Sequence, residues 1–192
     1  MAILLWLLKP LEAMLDIVLR VGRWIAVVAI GMMVCAILLQ VFCRYVLGNA
    51  LPWPEEAAIF LMLWMTAVIA PSAYRRGGFV ALEILSSALP QRGAAVLALV
   101  LLLISGMVLY IGAQMGLTEM SGLAGKFKSA SLKYPTLEGW EKMPNSWQIA
   151  SLVTGLWLLF IVNIELILRN LITLAGGGDR LRSPLDAELT VE

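Results

Sequence analysis

Two adjacent carboxylates, Glu55 and Glu56, follow Trp53-Pro54 and come shortly after Arg44-Tyr45. Neighbouring carboxylates can bind a cation, relay a proton or pair with arginine. On a helix, neighbours point about 100° apart, so these two do not converge on one ligand. Pro54 suits the first helical position, where its missing N–H is not needed. Glu55 and Glu56 then fall in the first turn, where the helix dipole favours anions. Arg44 ends the preceding helix, where a cation is favoured. This arrangement predicts helix capping and a pair between Arg44 and Glu55 or Glu56, with partner docking and ion binding as the alternatives. Glu165 stands four residues before Arg169, a spacing that predicts a structural pair over a transport carboxylate. Tyr74-Arg75-Arg76 is a second basic cluster, which reads as a positive-inside stop signal at the end of the second span, and pairing with Glu83 is compatible with that role. Cys35 and Cys43 form no CxxC motif and read as small packing residues. The chain has no His, which disfavours axial haem ligation, zinc hydrolysis and the commonest general base. It also lacks a Gly-rich phosphate loop, a nucleophile elbow and a metal-spaced cluster. The expectation is no catalytic residue, no metal and no cofactor.

The elements that carry these residues follow from hydropathy. The 192 residues are 61% hydrophobic, with mean hydropathy +0.90. Soluble domains run about 45–50% apolar, so the excess points to lipid as solvent. The net charge is +1, so no global field draws nucleic acid. Four uncharged or nearly uncharged runs, about 24–43, 57–74, 94–117 and 147–168, meet the length of roughly 20 residues that a membrane helix needs. Unpaired backbone cannot face hydrocarbon, so these runs predict helices. The predicted fold is an all-α membrane protein with four transmembrane helices plus amphipathic interfacial helices.

Residues 1–23 are expected to form the first interfacial helix, with the alternative that they extend the first span into water as a charged stalk. Leu11, Met14, Leu15 and Val18 recur at helical spacing, and Glu12, Asp16, Arg20 and Arg23 follow the opposite stripe. Asp16 and Arg20 stand four apart in the favourable order. A second interfacial helix is expected at about 78–90. The longest connection, 118–146, is broken by Gly122, Gly125, Pro135, Gly139 and Pro144 and reads as an irregular loop. Its Lys126, Lys128, Lys133, Tyr134, Trp140 and Trp147 suit the headgroup region. Asn145 or Ser146 is expected to cap the fourth helix. Residues 174–192 read as a flexible tail. Gly112 and Gly116 are spaced for close helix packing. Pro71 removes a helix bond to the carbonyl of Ala67.

Charge sets orientation. Lys9, Arg20, Arg23, Arg75, Arg76, Arg92, Arg169, Arg180 and Arg182 collect on one side, and Arg44, Lys126, Lys128, Lys133 and Lys142 on the other. The expectation is N-in/C-in, with the first and third loops facing outward and 118–146 a periplasmic loop.

The stretch Gln40–Glu83 resembles the small membrane subunit, the DctQ-like or Q component, of TRAP (tripartite ATP-independent periplasmic) transporters. Phe42, Arg44 and Tyr45 match an aromatic-Arg-Tyr element closing the first span. Trp53, Glu55 and Glu56 match a Trp-x-Glu-Glu element opening the second, and Ala73, Tyr74, Arg75, Arg76 and Gly77 match its close. Phe79, Val80, Leu82 and Glu83 stand where the family carries a His-Ile-x-Val-Asp-like element, so the chain departs there by losing the His. Leu89-Pro90 and Arg92 again fit. The resemblance implies a small permease subunit in the bacterial inner membrane. Its partners would be the large sodium-coupled membrane subunit (M component), a periplasmic substrate-binding protein (P component) and membrane lipids, with no nucleic acid. It implies uptake of an organic acid, a carboxylate or sialic-acid-like solute. Arg44, Tyr45, Trp53, Glu55, Glu56, Tyr74, Arg75, Arg76 and Glu83 would then serve structure or the partner interface. The competing readings are a membrane-anchor subunit of an electron-transfer enzyme and a tetraspan assembly factor.

Overall fold

The computed structural model describes residues 2–49, 51–77, 91–136 and 139–175. Long apolar runs become helices because hydrocarbon offers the backbone no other hydrogen-bond partner. They are α1 (Ala2–Tyr45), α2 (Trp53–Gly77), α3 (Gln91–Ser121) and α5 (Ser146–Leu174), with a single turn, α4 (Leu123–Lys126), after α3. Each of the four long helices contains a stretch apolar enough to cross a membrane. The expected all-α membrane architecture with four spanning helices is therefore present.

Three expectations change in detail. No break separates residues 1–23 from the first span, because α1 runs on through Pro10 as one helix of 44 residues. At 1.5 Å per residue that is about 66 Å, roughly twice a hydrocarbon core of ~30 Å. Protein covers part of the apolar stripe at its start, Met14 stays exposed, and Glu12 and Asp16 reach arginines of neighbouring helices. Leu15 and Leu19 are buried against Val162 of α5, with Leu11, Tyr74, Ile161 and Leu166 packed around them. The third connection is not irregular. Strands β1 (Lys128–Thr136) and β2 (Gly139–Pro144) pair as an antiparallel hairpin, with a register irregularity between Lys128 and Lys133. In β1, Ala130, Leu132 and Tyr134 alternate with Ser129, Ser131 and Lys133, the period-two pattern of a strand, and a distant carboxylate described below supports it. Asn145 does occupy the cap position of α5, but its side chain makes no cap bond. Its Nδ2 donates instead to the Ala124 carbonyl at 3.2 Å, tying α4 to the start of α5. The expected interfacial helix at 78–90, with Glu83, and the tail beyond Ala175 lie outside the described residues.

The long helices form an open row rather than a closed bundle. α1 packs on α2, α2 on α5 and α5 on α3, and α1 also touches α5. Small residues let backbones approach where packing alone must hold helices together. A Cβ at Gly22 would lie 3.0 Å from Val68 Cγ1, and one at Gly155 would lie 3.0 Å from Ala67 Cα and 3.2 Å from its carbonyl oxygen. Pro71, buried inside α2, frees that carbonyl of its usual amide partner, and Gly155 is where α5 comes over it. Between α3 and α5, a Cβ at Gly116 would meet Val153 Cγ2 at 2.7 Å and one at Gly112 would meet Leu156 Cδ1 at 3.5 Å. Tyr110 closes the same interface against Trp157 and Phe160, with ring centroids 6.4 and 5.8 Å away.

Candidate functional site

Polar side chains gather at the two ends of the row, and each end is organised around one glutamate. At the first end, α5 places Glu165 and Arg169 one turn apart, α1 places Glu12 and Asp16 one turn apart, and α2 ends in Arg75. Glu165 Oε1 accepts from Arg75 Nε at 3.1 Å, Arg75 Nη2 at 2.8 Å and Arg169 Nε at 3.0 Å. Arg75 Nη1 also donates to Asp16, and Arg169 Nη2 pairs with Glu12 Oε1 at 2.8 Å. The charges alternate, Asp16–Arg75–Glu165–Arg169–Glu12, and the chain begins and ends on α1. Glu165 is fully buried and the Arg75 side chain is 9% exposed. Burial on this scale demands such pairing, since an isolated charge away from water is costly. Glu165 Oε2 is buried without a hydrogen-bond partner among the described residues, so one oxygen carries the entire load.

A second, uncharged relay runs beside the network. Tyr74 Oη donates to Asn163 Oδ1 at 2.9 Å, and Asn163 Nδ2 donates to the Leu102 carbonyl at 3.0 Å. It connects α2, α5 and α3. Gly106 makes room for it, because a Cβ there would sit 2.6 Å from Asn163 Nδ2.

At the other end, Glu56 binds backbone. Its Oε2 accepts from Ser129 Oγ, from Ser131 N at 3.1 Å and from Leu132 N at 3.1 Å. Ser131 Oγ donates to the Pro52 carbonyl at 3.2 Å. The hairpin is thereby latched to the first turn of α2.

These contacts relocate several expected partners. No ion pair joins Arg44 to Glu55 or Glu56 among the described residues, because the hairpin amides occupy Glu56. The Arg44 guanidinium lies 5.9 Å from the centre of the Tyr45 ring instead. Tyr45, Glu55 and Arg76 are exposed, as is Trp53 at the start of α2. Arg75 bonds to Asp16 and Glu165, and Glu83 lies outside the described residues. Asp16 bonds across to Arg75, not along its own helix to Arg20. Glu165 and Arg169 pair as their spacing implied. The sequence reading missed Glu12, Asp16 and Asn163 as site residues. Their signal was available: two acids one turn apart at one end of a long helix, matched by arginines at the same end of two others. Side chains in this cluster can bond helices together. Among the described residues, no group of His, Cys, Asp and Glu is arranged to hold a metal ion.

Comparison with known proteins agrees with that architecture. Curated proteins return no match. A family model described as "Tripartite ATP-independent periplasmic transporters, DctQ component" matches residues 33–173, a span that includes the last part of α1, all of α2 and α3, nearly all of α5 and the hairpin. The family is a transporter component and not an enzyme, and its members work with DctM and DctP components. With most of its length matched, this multi-pass membrane chain belongs to the DctQ component family of TRAP transporters.

Proposed function

We propose that the chain is the static scaffold of a sodium-coupled permease. A large membrane subunit moves the solute, and this subunit widens its fixed part in the bacterial inner membrane. The solute is an organic acid, a carboxylate or sialic-acid-like compound, delivered by a periplasmic binding protein. Both termini face the cytoplasm, which puts the ionic network at the inner surface and the hairpin at the outer one. The observation that carries this reading is how the polar groups inside the spans are used. Asn163, Tyr74, Glu165 and Arg75 bond one another or other parts of the chain, and a hydrated solute needs such groups free to escort it. A row locked by buried ion pairs suits a part that holds still while a neighbour moves. Its open faces, with exposed apolar side chains on α1 and α3, suit packing against another membrane protein.

Reconstitution tests this. Liposomes holding this chain alone should accumulate no solute under a sodium gradient. Adding the large subunit and the capture protein should give sodium-dependent uptake. Concentrative uptake by this chain alone would overturn the proposal.

A further inference from the structure

The hairpin carries a surface that its own fold leaves unbalanced. Lys133 and Lys142 are direct cross-strand partners, and Trp140 pairs with Pro135. Side chains alternate between faces along a strand, so Lys133, Lys142 and Trp140 share one face, while Glu141 lies on the other. Residues directly opposite have Cβ atoms about 4.5–5.5 Å apart, and like charges there are destabilising. Neither lysine has an ion-pair partner among the described residues, and both are exposed. Trp140 is 73% exposed beside them. Two amines held together next to an uncovered indole fit a partner that is anionic and partly apolar.

The placement of the hairpin identifies that partner. The hairpin leaves the row at Phe127 and returns at Asn145, whose N–H donates to the Phe127 carbonyl at 2.7 Å. Ser129, Ser131 and Leu132 are tied to Pro52 and Glu56 at the end of a neighbouring helix. Residues Ser129 to Leu132 are therefore held at the first turn of α2, where an apolar span begins. The tip from Lys133 onward reaches about 13 Å past this tie, at 3.3 Å per residue. Phe127 and Leu123, at its root, are also strongly exposed. Tryptophan and lysine at this depth are the usual headgroup residues.

The geometry points to a site for anionic phospholipid headgroups on the Lys133–Trp140–Lys142 face, with the hairpin serving as a foot on the membrane surface. The two amines take the phosphates, and the indole enters the headgroup layer. A basic residue at an anionic surface contributes about 1 kcal/mol, or about fivefold in the ratio of docked to free tip. This inference depends on the chain spanning a membrane and not on its role in transport.

The test uses the full chain in vesicles of phosphatidylcholine alone, or mixed with phosphatidylglycerol, with bromine on the lipid near the headgroup as a quencher of tryptophan. The fluorescence that quenching removes from the intact chain, and not from Trp140→Phe, reports contact at the tip. That component should be present with brominated phosphatidylglycerol and fall at least about fivefold in phosphatidylcholine alone. Molar salt should reduce it in the unaltered chain by screening. Lys133→Glu places opposite charges across the strands, so it should strengthen the hairpin while removing most of the quenched component. A purely structural role for Lys133 predicts the reverse. Equal quenching in both lipids would overturn the inference, as would no Trp140 component, or one that appears only when the capture protein is added.

Discussion

The two ends of this molecule solve the same problem with different donors. At one end Glu165 is bonded by guanidiniums from two helices, and at the other Glu56 is bonded by two backbone amides and a hydroxyl from a hairpin. The first carboxylate is fully buried, and without it each of its arginine partners would keep a single carboxylate on α1 in a place with little water. The second sits near the surface, and its partners could turn to water. Equal numbers of hydrogen bonds therefore imply unequal consequences. The network end fixes how three helices pack, while the hairpin end fixes where one appendage lies.

Substitutions can break or sharpen that contrast. The largest effect is expected for Glu165→Gln, which takes the buried carboxylate from two arginines with little water around them and leaves each with one partner on α1, Asp16 or Glu12. It should cost about 3–5 kcal/mol, read by thermal unfolding of the purified chain in detergent. Asp16→Asn in the same assay should cost much less, because Asp16 is 38% exposed and water can replace it. A loss for Asp16→Asn as large as for Glu165→Gln would show that burial is not what separates the ends. Next comes Gly106→Leu, which displaces Asn163 from the Leu102 carbonyl and crowds α3 against α5. Overpacking and a lost buried bond together should cost about 2–4 kcal/mol.

Glu56→Ala should act locally. Hydrogen exchange at the Ser131 and Leu132 amides should speed up by the equivalent of about 1–3 kcal/mol, while amides in the middle of α2 and α5 keep their protection. Global destabilisation would mean that the hairpin helps hold the row together. The smallest effect is expected for Arg44→Ala, which removes no ion pair and should stay within about 0.5 kcal/mol of the parent by thermal unfolding. A large loss there would restore the Arg44–glutamate pair that the spacing implied.

The spans were legible because the bilayer imposes a simple rule. Uncharged runs of about 20 residues have few alternatives to a helix, so four runs gave four helices. Glu165 and Arg169 were legible for a related reason: residues four apart on a helix are neighbours whatever the fold. The long-range partners were not. Arg75 read as a charge that ends a span, yet it bonds Asp16 and Glu165, which come from far along the chain. Glu56 seemed suited to Arg44 across a short turn, yet it binds a segment more than seventy residues away. The hairpin was missed although Ala130, Leu132 and Tyr134 alternate with polar residues in β1, because the stretch is short and set among glycines and prolines, and the group that anchors it is on another element.

Residue types and spacing alone determined that this chain dissolves in lipid, crosses it by four helices and carries the pattern of a TRAP small subunit. These are local properties, set by hydrophobicity and by which neighbours a helix brings together. Only the tertiary structure decided which carboxylate meets which donor, that the helices stand in an open row, and that Leu15 and Leu19 pack against α5. Such choices turn on distances between elements remote in the chain, where several oppositely charged partners satisfy the same pattern and packing geometry selects one.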